Sequence, residues 1–249
     1  MRPEFQGVMP VTPVVKKLII ANVAIWLLLV IVFQGFIHHG SDIFEWFGFM
    51  PVRFFHDFWL WQAFTYMFIH SENVFHILFN MLLLWWLGAE LEIYWGRRYF
   101  LFYYIACGVG AALVYLVCVL IYYFVSGEIG PLQSPVVGAS AAIFGLILAY
   151  GLLFGERVVY FLMIFPMRAK HFVMIIGGIE FMNLVSQGLS NQVSNLAHLG
   201  GLITGYVIFK AGPKIRDFMV RRQTKAHGRK LKLVVDNQDQ RSGGPKYWN

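Results

Sequence analysis

The sequence predicts an all-α, polytopic membrane protein built as a bundle of six transmembrane helices, and three observations carry that prediction. Of the 249 residues, 58% are hydrophobic and only 13% charged, and the mean hydropathy is +0.61, outside the range of soluble globular chains. Apolar runs long enough to cross ~30 Å of hydrocarbon recur along the chain. Lys and Arg gather in alternate connecting segments, as they do in a chain threaded repeatedly through a membrane. The net charge of +7 would suggest nucleic acid in a soluble protein, but here the basic residues flank apolar spans and set topology, so no nucleic-acid partner is expected. Cys107 and Cys118 share one apolar segment, which supports neither a disulfide nor a metal framework.

Residues 1–16 are short, Pro-containing and polar enough to stay in water, and Leu18 to Ile37 forms the first span. Its apolar core is longer than that of a signal peptide and no small-x-small cleavage site follows, so it reads as a retained anchor. From His38 to Gln62, aromatic residues (Trp46, Phe47, Phe54, Trp59 among them) mix with Asp42, Glu45, Arg53 and Asp57, a composition suited to a membrane interface. The second span runs from about Asn73 to Tyr94 and carries His76 and Asn80 near its start, polar groups that hydrocarbon penalises unless they are paired. The third, Tyr99 to Phe124, is long enough to require tilt. The fourth is the apolar helix Ala141 to Phe154, which Ser140 opens after a loop marked by Gly130-Pro131 and Ser134-Pro135. The fifth and sixth cover about Phe172 to Val185 and Leu196 to Phe209. The expected division is thus an N-terminal segment 1–16, a membrane domain 17–212 and a flexible basic tail 213–249, whose stretch Asp236 to Gly244 has too little apolar surface to fold alone.

With the N-terminus cytoplasmic, all of the 20 Lys and Arg except Arg53 fall on the cytoplasmic side, which predicts an N-in, C-in arrangement. The second, fourth and sixth helices then enter from the outer face. His76, Ser140 and His198 lie in the first turns of those helices and are expected at one depth.

A lone Ser in an apolar helix is ordinarily a packing residue bonded to its own backbone. To act as a nucleophile it needs a base within about 2.6–3.2 Å, and His198 is the candidate at matching depth. Helices that close need small residues. Gly201 and Gly205 supply a G-x-x-x-G face on the sixth helix, and Gly138, Ala142 and Gly145 a small face at the fourth. His76 and Asn80, four residues apart, project from one helix face.

Three segments in order, His76-Ile-Leu-Phe-Asn80, Gly138-Ala-Ser140-Ala and Ala197-His198-Leu-Gly-Gly201-Leu-Ile-Thr-Gly205, resemble the motifs of the rhomboid family of intramembrane serine proteases, and the resemblance covers roughly Lys17 to Gly212. It implies a bacterial-type, six-helix protease of the inner (plasma) membrane that cuts transmembrane helices of other proteins near the outer boundary, without a cofactor. Ser140 would be the nucleophile and His198 the general base of a dyad. His76, Asn80 and the Ser140 backbone N–H would be the oxyanion donors, with Phe144 stacked on the imidazole. Gly88 and Glu92 match a structural G-x-x-x-E of the family. One departure is Trp61-Gln62, where many members carry Trp-Arg.

Other readings compete. A soluble hydrolase elbow requires G-x-S-x-G after a strand, but position 142 is Ala and the context is a membrane helix. His70, His76 and His198 would offer three zinc ligands, yet no H-E-x-x-H pair accompanies them and no metal is expected. A non-catalytic rhomboid-like protein that binds or chaperones membrane proteins is the different-class alternative; its usual sign, a lost Ser or His, is missing here. Glu180 and Asn183 within the fifth span leave room for an ion path and a transporter.

Overall fold

A computed structural model describes residues 10–37, 42–161, 165–187 and 193–228. It is mainly helical. Helix α1 (Pro13–Ile25) continues as π-helical turns over Trp26–Ile37. Three short helices follow, α2 (Asp42–Phe47), α3 (Pro51–His56) and α4 (Gln62–Thr65), the last running into a 3₁₀ turn at Tyr66–Phe68. Then come α5 (Val74–Trp95), α6 (Arg97–Ser126), the short α7 (Gly130–Gln133) and α8 (Ser140–Leu153). Strands β1 (Val158–Phe161) and β2 (Phe165–Arg168) precede α9 (Ala169–Gln187) and α10 (Val193–Gly228). Residues up to Lys210 form one compact unit and those from Ala211 a second.

Three helical stretches among the described residues, Pro13–Gly35, Val74–Trp95 and Arg97–Ser126, are long and apolar enough to cross a membrane. Helix α8 is different. Its 14 residues rise only ~21 Å, yet ten of them, including Ala141, Phe144, Gly145, Leu146 and Tyr150, are buried. An all-round apolar helix is one enclosed by others, and α8 packs against α5, α6 and α9. Because α6 has 30 residues and so rises ~45 Å, α8 is far shorter than its neighbour, and its first residue, Ser140, is half-buried rather than exposed.

The expected all-α character needs one correction. Val158 to Phe161 pairs antiparallel with Phe165 to Arg168, Val158 opposite Arg168, because Val-Val-Tyr-Phe favours extended backbone. The helices at the two ends run past their apolar windows. Helix α1 starts at Pro13, ahead of the apolar window at Leu18, because its first turn is capped from another helix. The Glu92 carboxylate on α5 accepts the Thr12 hydroxyl at 2.5 Å and the backbone N–H groups of Val14 and Val15 at about 3.0 Å. Those are orphan donors that any helix N-terminus must satisfy. Gly88, one turn earlier on α5, lets Val15 close in: a Cβ there would stand 3.0 Å from the Val15 methyl. At the other end, α10 continues through Pro213 to Gly228, and the second compact unit begins at Ala211. Its Lys-, Arg- and Gln-rich sequence is compatible with helix. The stretch 236–244 lies outside the described residues.

Candidate active site

The site is assembled around the N-terminus of α8. The loop that leads to it is pinned by backbone pairing, Phe49 N–H to Val136 C=O at 2.8 Å and Val136 N–H to Phe49 C=O at 2.9 Å. Gly138 N–H then donates to Tyr66 C=O at 2.9 Å. Gly138 adopts φ +118°, a conformation that favours glycine, and a Cβ there would lie 2.8 Å from His76 Nε2. The missing side chain is what lets the His76 ring stand beside the turn into Ser140.

Ser140 Oγ lies 2.7 Å from His198 Nε2. Helix α10 reaches that position because Gly201 and Gly205 have no side chains. A Cβ on Gly201 would overlap the Ala141 carbonyl oxygen, and one on Gly205 would stand 2.9 Å from the Gly145 Cα. The residue that meets Gly201 is therefore Ala141, not the expected Ala142, since Ala141 and Gly145 are one turn apart on the contacting face. Gly138 lies outside this face and serves His76 instead. The Tyr103 hydroxyl bridges the carbonyls of Gly145 (3.1 Å) and Gly205 (2.9 Å) at the crossing. Phe144 stacks on the His198 ring, centroids 4.3 Å apart and planes 9° from parallel.

On α5, His76 Nδ1 faces Ser71, whose backbone N–H donates to it at 3.3 Å and whose Oγ lies at 2.9 Å. An Nδ1 that accepts leaves the proton of a neutral imidazole on Nε2, the atom turned toward Gly138. Asn80 is buried and its Nδ2 donates to the His76 carbonyl at 2.7 Å. An amide has two N–H bonds, so one is held by the helix and one is left for another acceptor. Ser140, as the first residue of α8, has its backbone N–H among the donors that the helix does not use, at the positive end of the helix dipole.

Three residues at the site had no part in the serine-protease reading of the sequence: His70 entered it only as a rival zinc ligand, Glu180 as a rival ion-path acid and Gln62 as a departure from Trp-Arg. His70 is fully buried, takes the Ala139 N–H on Nε2 at 3.4 Å and meets His76 edge to face, centroids 5.2 Å apart. Burial, followed by the neighbouring His76, lowers its pKa to about 3 and keeps it neutral. Glu180 Oε2 on α9 lies 3.1 Å from His198 Nδ1. Gln62 is fully buried and ties the interfacial segment together, Nε2 donating to Glu45 C=O at 2.6 Å and Oε1 accepting Met50 N–H at 3.1 Å. Beyond that, the sequence signal for each was a polar residue in apolar company. Among the described residues, no group of three His, Cys, Asp or Glu is placed to hold a metal ion, so His70, His76 and His198 do not form the ligand set that a zinc site would need.

The chain matches the Rhomboid domain over residues 57–212, which takes in Ser140, His198, His76 and Asn80. The chain belongs to the rhomboid family. It is also 30% identical over 157 residues to RHOMBOID-like protein 1 of Arabidopsis thaliana, an alignment that takes in 60% of this chain and 33% of that protein. The chain thus spans about a third of the length of this rhomboid relative. Family membership and the long apolar helices make it an integral, multi-pass membrane protein.

Proposed function

We propose that the chain is an intramembrane serine endopeptidase that cleaves transmembrane helices of other membrane proteins. The reading rests on the 2.7 Å approach of Ser140 Oγ to His198 Nε2, within the reach a nucleophile and its base require. Ser140 Oγ attacks the carbonyl carbon of the scissile peptide while its proton passes to His198 Nε2. The carbonyl electron pair moves onto oxygen, where the Ser140 N–H, the His76 Nε2–H and the second Asn80 N–H receive it. Such preoriented donors act strongly in a low-dielectric site. The C–N bond then breaks, His198 hands its proton to the leaving amine, and an acyl ester remains on Ser140. Water attacks that ester with His198 again taking the proton, which frees the new carboxylic acid and restores the serine.

Hydrolysis inside a membrane needs water at the reacting atoms. A nucleophile at the start of a short enclosed helix suits a cavity open to one face of the bilayer. The membrane domain, about residues 17–212, is proposed to hold six spans with both termini cytoplasmic, so that Ser140 lies below the outer surface of a bacterial inner membrane. The test is cleavage of a single-span reporter in detergent or vesicles by purified protein, compared with Ser140→Ala.

A further inference from the structure

We infer that Glu180 is a positioning residue for His198, so that the chain works with a Ser140–His198–Glu180 relay in place of a bare dyad; this rests on the protease reading above. An ionisable acid inside an apolar helix is costly and persists where it has a partner. Glu180 faces inward while its neighbours Ile179, Phe181 and Met182 are exposed. Its Oε2 and His198 Nδ1 approach to 3.1 Å, with each side chain 16% exposed. Neither atom completes an aligned hydrogen bond here, and neither has another hydrogen-bond partner among the described residues. A small rotation of the Glu180 carboxylate would pair the two orphans.

The helices are in register for this contact. One turn before Glu180, Gly177 lies against Leu202 of α10, where a Cβ would be 3.3 Å from the Leu202 methyl. Leu202 is one turn after His198. The antiparallel step that brings Gly177 to Leu202 brings Glu180 to His198.

The chemistry assigns the roles. For Nε2 to accept the Ser140 proton, the proton of the neutral ring must sit on Nδ1. A carboxylate at Nδ1 holds that tautomer, and it stabilises the imidazolium that forms when Ser140 gives up its proton. Phe144 holds one face of the ring, and the Glu180 carboxylate, once rotated onto Nδ1, holds its far nitrogen. With both constraints, rotation about the Cβ–Cγ bond is blocked.

The test compares Glu180→Gln, Glu180→Leu and Glu180→Asp in the full chain. Removing the charge should lower kcat about 10- to 100-fold, a part of the roughly 10²–10⁴ that a positioned general base contributes, because the imidazolium formed when Ser140 gives up its proton would lose its counter-charge and the ring its Nδ1 partner. KM should be unchanged, and Asp should recover part of the loss. The activity-independent arm is nitrogen NMR of protein labelled in its histidines, with His198 assigned by loss of its signals in His198→Gln. The wild type should hold the Nδ1–H tautomer, and Glu180→Leu should shift His198 toward Nε2–H. Leu should also leave the unfolding midpoint unchanged or raised, since an acid is removed from an apolar helix. An unchanged His198 tautomer in Glu180→Leu would overturn the inference whether or not the protein proves to be a protease. Wild-type kcat in folded Glu180→Gln and Glu180→Leu would overturn it as well. Undiminished cleavage by Ser140→Ala would instead bring down the protease reading and leave the tautomer result to decide the contact.

Discussion

Replacing Gly201 by Ala adds one methyl group at the crossing of α8 and α10, and the structure sets the size of the effect. The new Cβ would overlap the Ala141 carbonyl oxygen and stand 2.9 Å from its carbonyl carbon, where ordinary contact begins at 3.4 Å. The neighbouring atoms are backbone, and a close-packed interior has no slack to absorb them. The helices must therefore part by on the order of 1 Å, and overpacking of this kind costs about 1–3 kcal/mol. His198 lies three residues before Gly201, so it moves with the helix. A hydrogen bond of 2.7 Å to Ser140 would then exceed the ~3.2 Å reach of a general base. A misplacement of about 1 Å costs about 10²-fold in rate. The matched control is Gly178→Ala on α9, where a Cβ meets nothing within 4 Å; relief of a mid-helix glycine should add about 0.5–1 kcal/mol there. The assay is turnover of a single-span reporter per folded molecule, with folding followed by thermal unfolding in micelles. Wild-type turnover in folded Gly201→Ala would refute the claim that the glycine sets the serine–histidine distance.

Two further outcomes follow from the same geometry. Asn80→Ala should lower turnover about 10²–10³-fold, as removal of one oxyanion donor does, with little change in stability; a lower unfolding midpoint with near-normal turnover would show that Asn80 serves only its bond to the His76 carbonyl. For topology, a cysteine replacing Glu128 should react with an impermeant thiol reagent added to the outside of cells while one replacing Arg98 should not, and the reverse pattern would place Ser140 near the cytoplasmic face.

The sequence was most legible where one local rule sufficed. The apolar run after Ser140 became α8 within a residue of its expected ends, because a helix apolar on all sides has one place to go, the interior. The G-x-x-x-G of Gly201 and Gly205 likewise declared a close crossing, although the partner was Ala141 and not Ala142, since the face that meets another helix depends on rotation that spacing alone leaves open. Contacts across 80 residues were invisible. Glu92 was legible only as the acid of a G-x-x-x-E with Gly88, with no partner to name, yet it caps the N-terminus of α1 through Thr12, Val14 and Val15, which is why α1 begins ahead of the apolar window at Leu18. Glu180 was an acid in the wrong solvent until α9 and α10 were brought side by side. The pairing of Val158–Phe161 with Phe165–Arg168 escaped because strands of four residues are too short to stand out beside long apolar helices.

The most direct measurement is reaction of the purified protein with a fluorophosphonate probe alongside cleavage of a transmembrane reporter, in wild type, Ser140→Ala and His198→Ala. Wild type should be labelled on Ser140 and should cut the reporter, while both variants remain folded and lose labelling and cleavage together. Cleavage that persists in Ser140→Ala, or a folded wild type that neither labels nor cuts while still holding the transmembrane reporter, would contradict the assignment of Ser140 and His198 as a working protease pair.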